Sequence, residues 1–373
     1  MKTTMKQAWL TAPGGPWELR EVPIPKPGPG QMLVKVKCGS ICKQTDSNTI
    51  RALHPPHDHQ AYGQVPHHLR IWDGREDPLK DVYPKRHLLY PDEPYPSRMG
   101  HEMSGEVVEV NPVASNNHGP MFVTGHYQVG DRVTGSPIFG GFGEYILLDM
   151  SAAAKFPQDM SWEAGTLVEP VYCVANHVCS TVQIGDRVVV LGVGALGSIA
   201  MMIAKAMGAK QVVAVDKTPS KLAFAQAHGA DVCINVNEVD NVADAIWDAT
   251  DDEGADSILE CAGEPETIQI IPYIGKIGAR IGQIGACCVP VLIDWSYFHF
   301  RHMSINKLII GGNTVGDLHL AEFQRAIDFI YRGVVPVEDL ITHRFRLTQE
   351  DLEQAFHLAM TDEDMIKGIF TME

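Results

Sequence analysis

The sequence predicts an α/β protein in two domains, one mostly β and one built on a doubly wound sheet of six parallel strands. Three observations predict it. At 373 residues the chain exceeds the size at which a single core stops growing. From about residue 184 short apolar runs alternate with stretches of helical periodicity, the rhythm of parallel strands joined by crossover helices. Before residue 160 that rhythm is absent, and short strands lie between Pro/Gly turns.

The first half runs from the turn-rich VPIPKPGPGQ through the strand-like MLVKVK, GEVVEV, VGDRVTG and GEYILLD. The second half reads VVVL at 188, a helix through 195–207, QVVAVD at 211, a helix around SKLAFAQAHG, VCINV at 232 and a weaker helix near 240–249. SILE at 257, ARIGQIG at 279 and KLIIGG at 307 complete six strands. Beyond residue 312, THRFRLTQEDLEQAFHLA places an N-cap-like Thr348 before an amphipathic helix. A completed six-stranded sheet has no room for that segment, so it is expected to return to the first domain. The expected domains are therefore 1–158 with 313–373, and 159–312, with substrate in the cleft between them.

Bulk properties narrow the function. A formal charge of −16 with no Lys/Arg-rich block argues against a nucleic-acid or anionic-membrane surface and favours a small-molecule partner. The longest apolar run, VVVLGVGALGSIAMMIA, is broken by glycines and spans no membrane, and MKTTMKQAWL lacks the apolar stretch of a signal peptide. Eight cysteines without small-domain spacing suit reduced thiols, hence a cytoplasmic location.

Those glycines have mechanical work. In GVGALG, Gly192, Gly194 and Gly197 occupy the G-x-G-x-x-G positions directly after a strand and before a helix, the fingerprint of a Rossmann dinucleotide site. The first permits the turn, the second lets backbone approach a pyrophosphate, and the third lets helix pack on strand. QVVAVD ends in Asp216, placed to accept hydrogen bonds from the adenosine ribose hydroxyls and to repel a 2′-phosphate, so NAD is expected over NADP. Val193, Ala195, Leu196 and Lys221 are expected to contact the cofactor as well, as are Cys261, Ala262 and Gly263 after SILE and Ile284 and Gly285 after ARIGQ.

The first half offers metal donors. SRMGHEMSGEVVEV holds the pair His101 and Glu102, but the second histidine of a helical HExxH site is replaced by Gly105, which excludes that motif. Alone the pair also reads as a solvated loop before a strand. Cys42, in CGSICKQTD, alone reads as a small buried hydrophobe. Glu169, in TLVEPVYCV, is an acid among apolar residues that costs several kcal/mol to bury unless something pairs with it. Together a thiolate, an imidazole and a carboxylate, with a fourth position left open, make the ligand set of a catalytic zinc.

In family order along nearly the whole chain stand PxPGPGQxLVKVxCxxIC, GHExSGEVVEV, VGDRVTG, GGFGEYI, LVEPVYCVANH, GVGALG with Asp216, and the GGN turn at 311–313. In these marks the chain resembles the zinc-dependent medium-chain alcohol dehydrogenases, and within them the sorbitol, threonine and butanediol dehydrogenase branch. The resemblance implies a GroES-like catalytic domain, a Rossmann domain, NAD, and a homodimer or homotetramer. It implies Cys42, His101 and Glu169 as zinc ligands, Glu102 as an acid that approaches the metal during ligand exchange, and reversible oxidation of a secondary alcohol. The chain departs from the family in three places. After the first ligand it reads Cys42-Lys43-Gln44-Thr45-Asp46, one residue longer than C-x-[ST]-D, with Thr45 as the candidate proton relay. No cysteine lies between 43 and 172, so a structural zinc loop is missing and one zinc per chain is expected. A long insert ahead of His101 carries six of the sixteen histidines, and a substrate-specificity or subunit-contact role is expected for it rather than a second metal. A zinc-free enone or quinone reductase and a non-catalytic NAD-binding protein are the competing readings.

Overall fold

The computed structural model describes residues 2–12, 15–43, 46, 96–112, 127–135, 137, 140–287, 291–306 and 317–372. The insert ahead of His101, Thr45 and the GGN turn lie outside these residues. Two compact units are present: Met1–Glu169 with Gly311–Tyr331 and Val337–Glu373, and Pro170–Ile310 with Arg332–Pro336.

In the first unit β1 (Thr4–Leu10) pairs antiparallel with β2 (Trp17–Pro23). The long strand β3 (Gln31–Ser40) follows, then β4 (Ser97–Arg98), β5 (Glu102–Asn111), β6 (Arg132–Gly135), β7 (Tyr145–Asp149) and β8 (Ala153–Lys155). The short helix α1 (Trp162–Thr166) is capped by the Ser161 hydroxyl, and α2 (Val168–Thr181) begins in this unit. β3 and β5 pair antiparallel along most of their length. Their inward residues, among them Met32, Val34, Val36, Met103 and Val107, form one core with Ile146 and Leu148 of β7. Gly105 is small of necessity, because a Cβ there would stand 2.5 Å from the Lys35 carbonyl oxygen of β3.

The second unit holds the parallel sheet. Its strands are β9 (Arg187–Leu191), β10 (Gln211–Asp216), β11 (Val232–Asn235), β12 (Ala255–Glu260), β13 (Gly275–Gln283) and β14 (Ser304–Asn306). They lie in the order β11-β10-β9-β12-β13-β14, all parallel. The crossover helices are α3 (Ala195–Ala206), α4 (Pro219–Ala227), α5 (Val242–Ala249) and α6 (Pro265–Ile274), followed by the short α7 (Trp295–Phe300). Every residue of β9 is buried, as a central strand covered on both faces requires. Two strands differ in extent from the sequence reading. β13 begins at Gly275, four residues ahead of ARIGQIG, and β14 lies just before KLIIGG, which falls outside the described residues.

The chain then forms α8 (Asp317–Tyr331), β15 (Ile341–Arg346), α9 (Gln349–Thr361) and β16 (Lys367–Thr371). Thr348 caps α9, its hydroxyl accepting the Asp351 N–H at 3.2 Å. β16 pairs antiparallel with β3 and places Ile369 opposite Ser40, so the C-terminal strand belongs to the first unit's seven-stranded sheet. Among the described residues no helix is long and apolar enough to cross a membrane.

Candidate functional site

The register of β3 against β5 builds the metal corner. It sets Ser40, the last residue of β3, opposite Glu102, the first of β5. Cys42 and His101, far apart in the chain, thereby emerge side by side from neighbouring strand ends. Gly100 makes the approach, with φ +84° and the Phe142 ring 2.9 Å from where a Cβ would stand. One donor atom each from Cys42, His101 and Glu102 lie within 4.8 Å of one another. Asp46 donates its N–H to the Cys42 carbonyl at 2.8 Å, and its Oδ2 accepts the Cys42 N–H at 3.0 Å. Asp46 is itself buried.

Charge is concentrated here. Burial opposes a charged His101 ring, yet the Cys42 thiolate hydrogen-bonded to it, with Glu169 and Glu102, pushes its pKa up to about 10. Burial pushes the Asp46 carboxyl up to about 7, and Glu102 adds to the rise while His101 opposes it. The anions of this corner draw positive charge into a buried place, where a divalent cation would supply it. A thiolate, an imidazole and a carboxylate suit zinc in particular. The residues present fit that metal.

Glu169 and Glu102 stand in different surroundings. Glu169 is buried in the first turn of α2 and acts on His101 and Lys367 through its charge, but it is not in the group within 4.8 Å. The Thr166 hydroxyl, bonded to the Cys38 carbonyl at 2.8 Å, ties the end of α1 to β3 just ahead of it. Glu102 is 1% exposed, and its Oε2 accepts from the Lys367 ammonium at 2.5 Å and from the Ser40 hydroxyl. Lys367 also donates to the Ile41 carbonyl at 3.0 Å. Burial works against its charge, but Glu102, Cys42 and Glu169 outweigh it and hold its pKa above the ordinary lysine value. Sequence reasoning missed Lys367. The signal was a single lysine in the otherwise apolar MIKGIF, the mirror image of Glu169.

The second unit gathers its candidate residues at the C-terminal ends of its strands. Gly192 turns at φ +84° against Ala262, and a Cβ on Gly197 would collide with the Gly192 carbonyl oxygen. Gly194 caps α3, whose first turn holds Ala195 and Leu196, and a Cβ there would meet nothing within 4 Å. Asp216 anchors this loop, its Oδ2 accepting the Val193 N–H at 2.8 Å and its Oδ1 the Thr218 N–H at 2.9 Å. Lys221 lies in the first turn of α4. Cys261, Ala262 and Gly263 follow β12, and Ile284 and Gly285 follow β13, on the far side of β9 from Asp216. That is the switch point of a doubly wound sheet, where nucleotides bind. Because Gly194 faces open space, Gly194→Ala is expected to leave thermal unfolding near wild type while weakening NADH about tenfold, through loss of close backbone approach. Fluorescence titration with NADH beside a melting curve checks this, and equal losses in both would assign Gly194 to folding alone.

Residues 28–158 match the family model of the alcohol dehydrogenase GroES-like domain, and residues 195–332 match that of the zinc-binding dehydrogenases. The chain is 28% identical to L-threonine 3-dehydrogenase of Pyrococcus horikoshii over 96% of both chains. It superposes on 2R,3R-butanediol dehydrogenase from Bacillus subtilis with a TM-score of 0.74 at 23% identity, covering 99% of this chain and 100% of that one. A Sinorhizobium meliloti chain solved with NADP gives a TM-score of 0.74 at 23% identity, with both chains covered completely. The chain belongs to the zinc-dependent medium-chain alcohol dehydrogenases. L-threonine 3-dehydrogenase of Bacillus licheniformis is 29% identical over 93% of this chain and 92% of its own.

Proposed function

We propose that this NAD-linked, zinc-dependent alcohol dehydrogenase oxidises a polar secondary alcohol reversibly to its ketone, the alcohol being a polyol, a sugar derivative or a hydroxy acid. The observation that carries this reading is the half-buried corner at the ends of β3 and β5, where Cys42 and Glu102 converge on His101. Relatives named for threonine and butanediol support a small polar substrate.

Cys42, His101 and Glu169 would hold one zinc, while the Lys367 ammonium and the Ser40 hydroxyl keep Glu102 beside it as the exchanging acid. Zinc, when bound, supplies a Lewis acid that lowers the alcohol pKa toward neutrality. Thr45, outside the described residues, is assigned the hydroxyl that takes the alcohol proton. The first unit, which runs through Glu169, holds metal and substrate. The second binds NAD, with the glycine loop on the pyrophosphate and Asp216 on the adenosine ribose. Oxidation of a panel of secondary alcohols, followed at the nicotinamide absorbance with and without a zinc chelator, tests the reading. Turnover that survives complete zinc removal would contradict it.

NAD is favoured over NADP because the Asp216 carboxylate, fixed by two backbone N–H groups, cannot swing away from a 2′-phosphate. Asp216→Asn removes the charge and keeps an acceptor, so the ratio of NADP to NAD efficiency is expected to rise about tenfold, a change of about 1.4 kcal/mol. Wild-type enzyme that already prefers NADP would show that the carboxylate serves the loop alone.

A homodimer or homotetramer and a cytoplasmic location complete the proposal. β14 has no outer neighbour among the described residues, and Trp295 and Phe300 of α7 are largely exposed beside Leu292 and Ile305. An open sheet edge flanked by apolar side chains suits a two-fold contact between copies. Light scattering of the eluting protein gives the mass, and a monomer would refute the contact. None of the seven described cysteines forms a disulfide, as a reducing compartment allows.

A further inference from the structure

Glu260 is a buried carboxylate that the reaction as described does not use. It is the last residue of β12, next to the strand that leads into the glycine loop, and it has no solvent exposure. Its Oε1 accepts the N–H groups of Ala262 at 3.0 Å and Gly263 at 2.8 Å, together with the Thr267 hydroxyl at 2.8 Å. Its Oε2 accepts the Gln283 side-chain amide, whose Nε2 also donates to the Gly285 carbonyl at 2.9 Å. The Glu260 backbone carbonyl receives the N–H groups of Ile284 and Gly285, both at 2.8 Å. One residue therefore ties together the turn after β12 and the turn after β13.

The two turns are in contact above it. A Cβ on Gly285 would collide with the Gly263 nitrogen and would stand 2.7 Å from Glu260 Oε2. Ala262 in turn packs against Gly192 at the start of the nucleotide loop. Gly263, at φ +71°, directs its N–H with that of Ala262 at one point, and with the start of α6 this makes an anion nest. A nest of this kind takes an anion. Here the chain's own carboxylate fills it, while the loop at Gly194 faces open space. Burial raises the Glu260 pKa, and the Thr267, Gly263, Gln283 and Ala262 donors act against that rise.

We propose that Glu260 is a positioning residue for the nicotinamide half of the cofactor: by clamping the turns after β12 and β13 it forms the floor on which that half is oriented. The assignment rests on the NAD site proposed above. Asp216 lies on β10, one side of β9, so the adenosine half belongs there and the nicotinamide half belongs over β12 and β13 on the other side.

Two variants of the full-length enzyme test the clamp. In Glu260→Gln the new amide would face the Gln283 amide, so Gln283 must turn and give up Gly285, whereas Gln283→Ala severs the bridge and leaves the Glu260 carboxylate on Ala262 and Gly263. Affinity is measured for NADH and for ADP-ribose, which lacks the nicotinamide, alongside melting temperature and the deuterium isotope effect on kcat. Both variants are expected to weaken NADH about tenfold, to change ADP-ribose less than about twofold, and to raise the isotope effect as hydride transfer slows. Equal weakening of both ligands would overturn the proposal and leave Glu260 a structural residue, as would unchanged NADH affinity. If Glu260→Gln fails to fold, Gln283→Ala decides by the same comparison. Failure of the underlying NAD site would show separately, as wild-type enzyme that binds neither ligand.

Discussion

Replacing Lys367 by methionine is expected to destabilise the first unit by about 3–5 kcal/mol, the range for breaking a buried ion pair from one side. The ammonium is 3% exposed and the Glu102 carboxylate 1%, so neither charge has water to fall back on. Their attraction offsets the cost of burying each, and the Ser40 hydroxyl and Ile41 carbonyl take up remaining hydrogen-bonding capacity. Methionine fills the space but leaves Glu102 charged beside Cys42 and Glu169. At a few degrees per kcal/mol for a domain of this size, the melting point should fall by roughly 10 °C. Adding Glu102→Gln should restore a substantial part, because the orphaned charge and not the lost contact is the main cost. A melting point unmoved in the single variant would mean that the pair contributes nothing to folding.

Cys42→Ser is expected to cost about a thousandfold in kcat/KM, the several kcal/mol of transition-state stabilisation that a Lewis acid supplies. A serine hydroxyl binds zinc far more weakly than a thiolate at neutral pH, and Cys42 is the soft donor of the set. Zinc should be lost with activity, whereas NADH titration should be unchanged, since the glycine loop and Asp216 belong to the other unit. Metal analysis and NADH fluorescence on the same preparation check both halves. Near wild-type turnover in a zinc-depleted variant would remove Cys42 from the chemistry.

Much of this was legible in the sequence because periodicity and loop chemistry are local. The glycine loop, Asp216 at the end of its strand and the Thr348 cap stand where their spacing puts them. The convergence of Cys42 and His101 could be inferred because each flanks a strand-like run, although only the β3–β5 register brings them face to face. Strand limits were less legible where side chains carry little pattern. GKIG at the head of β13 has two glycines, one at φ +80°, and its pairing with β12 shifts register there, so alternation fails and only ARIGQIG stands out. Lys367 and Glu260 were illegible for a different reason. Lys367 is the single charge of β16 and Glu260 ends the apolar run SILE of β12, and their partners, Glu102 for one and the turns after β12 and β13 for the other, are set by tertiary folding. Sequence marks such a residue as costly to bury without saying what relieves the cost.

The ligand assignment turns on which carboxylate completes the set, Glu169 or Glu102. Glu102 lies within the 4.8 Å group but has one oxygen given to Lys367 and Ser40, while Glu169 faces His101 through its charge. Zinc per chain, measured by elemental analysis on wild-type, Glu169→Gln and Glu102→Gln protein after dialysis against a weak chelator, decides between them. One zinc in wild type, loss in Glu169→Gln and retention in Glu102→Gln is the predicted result. Retention in Glu169→Gln with loss in Glu102→Gln would contradict it and make Glu102 the third protein ligand.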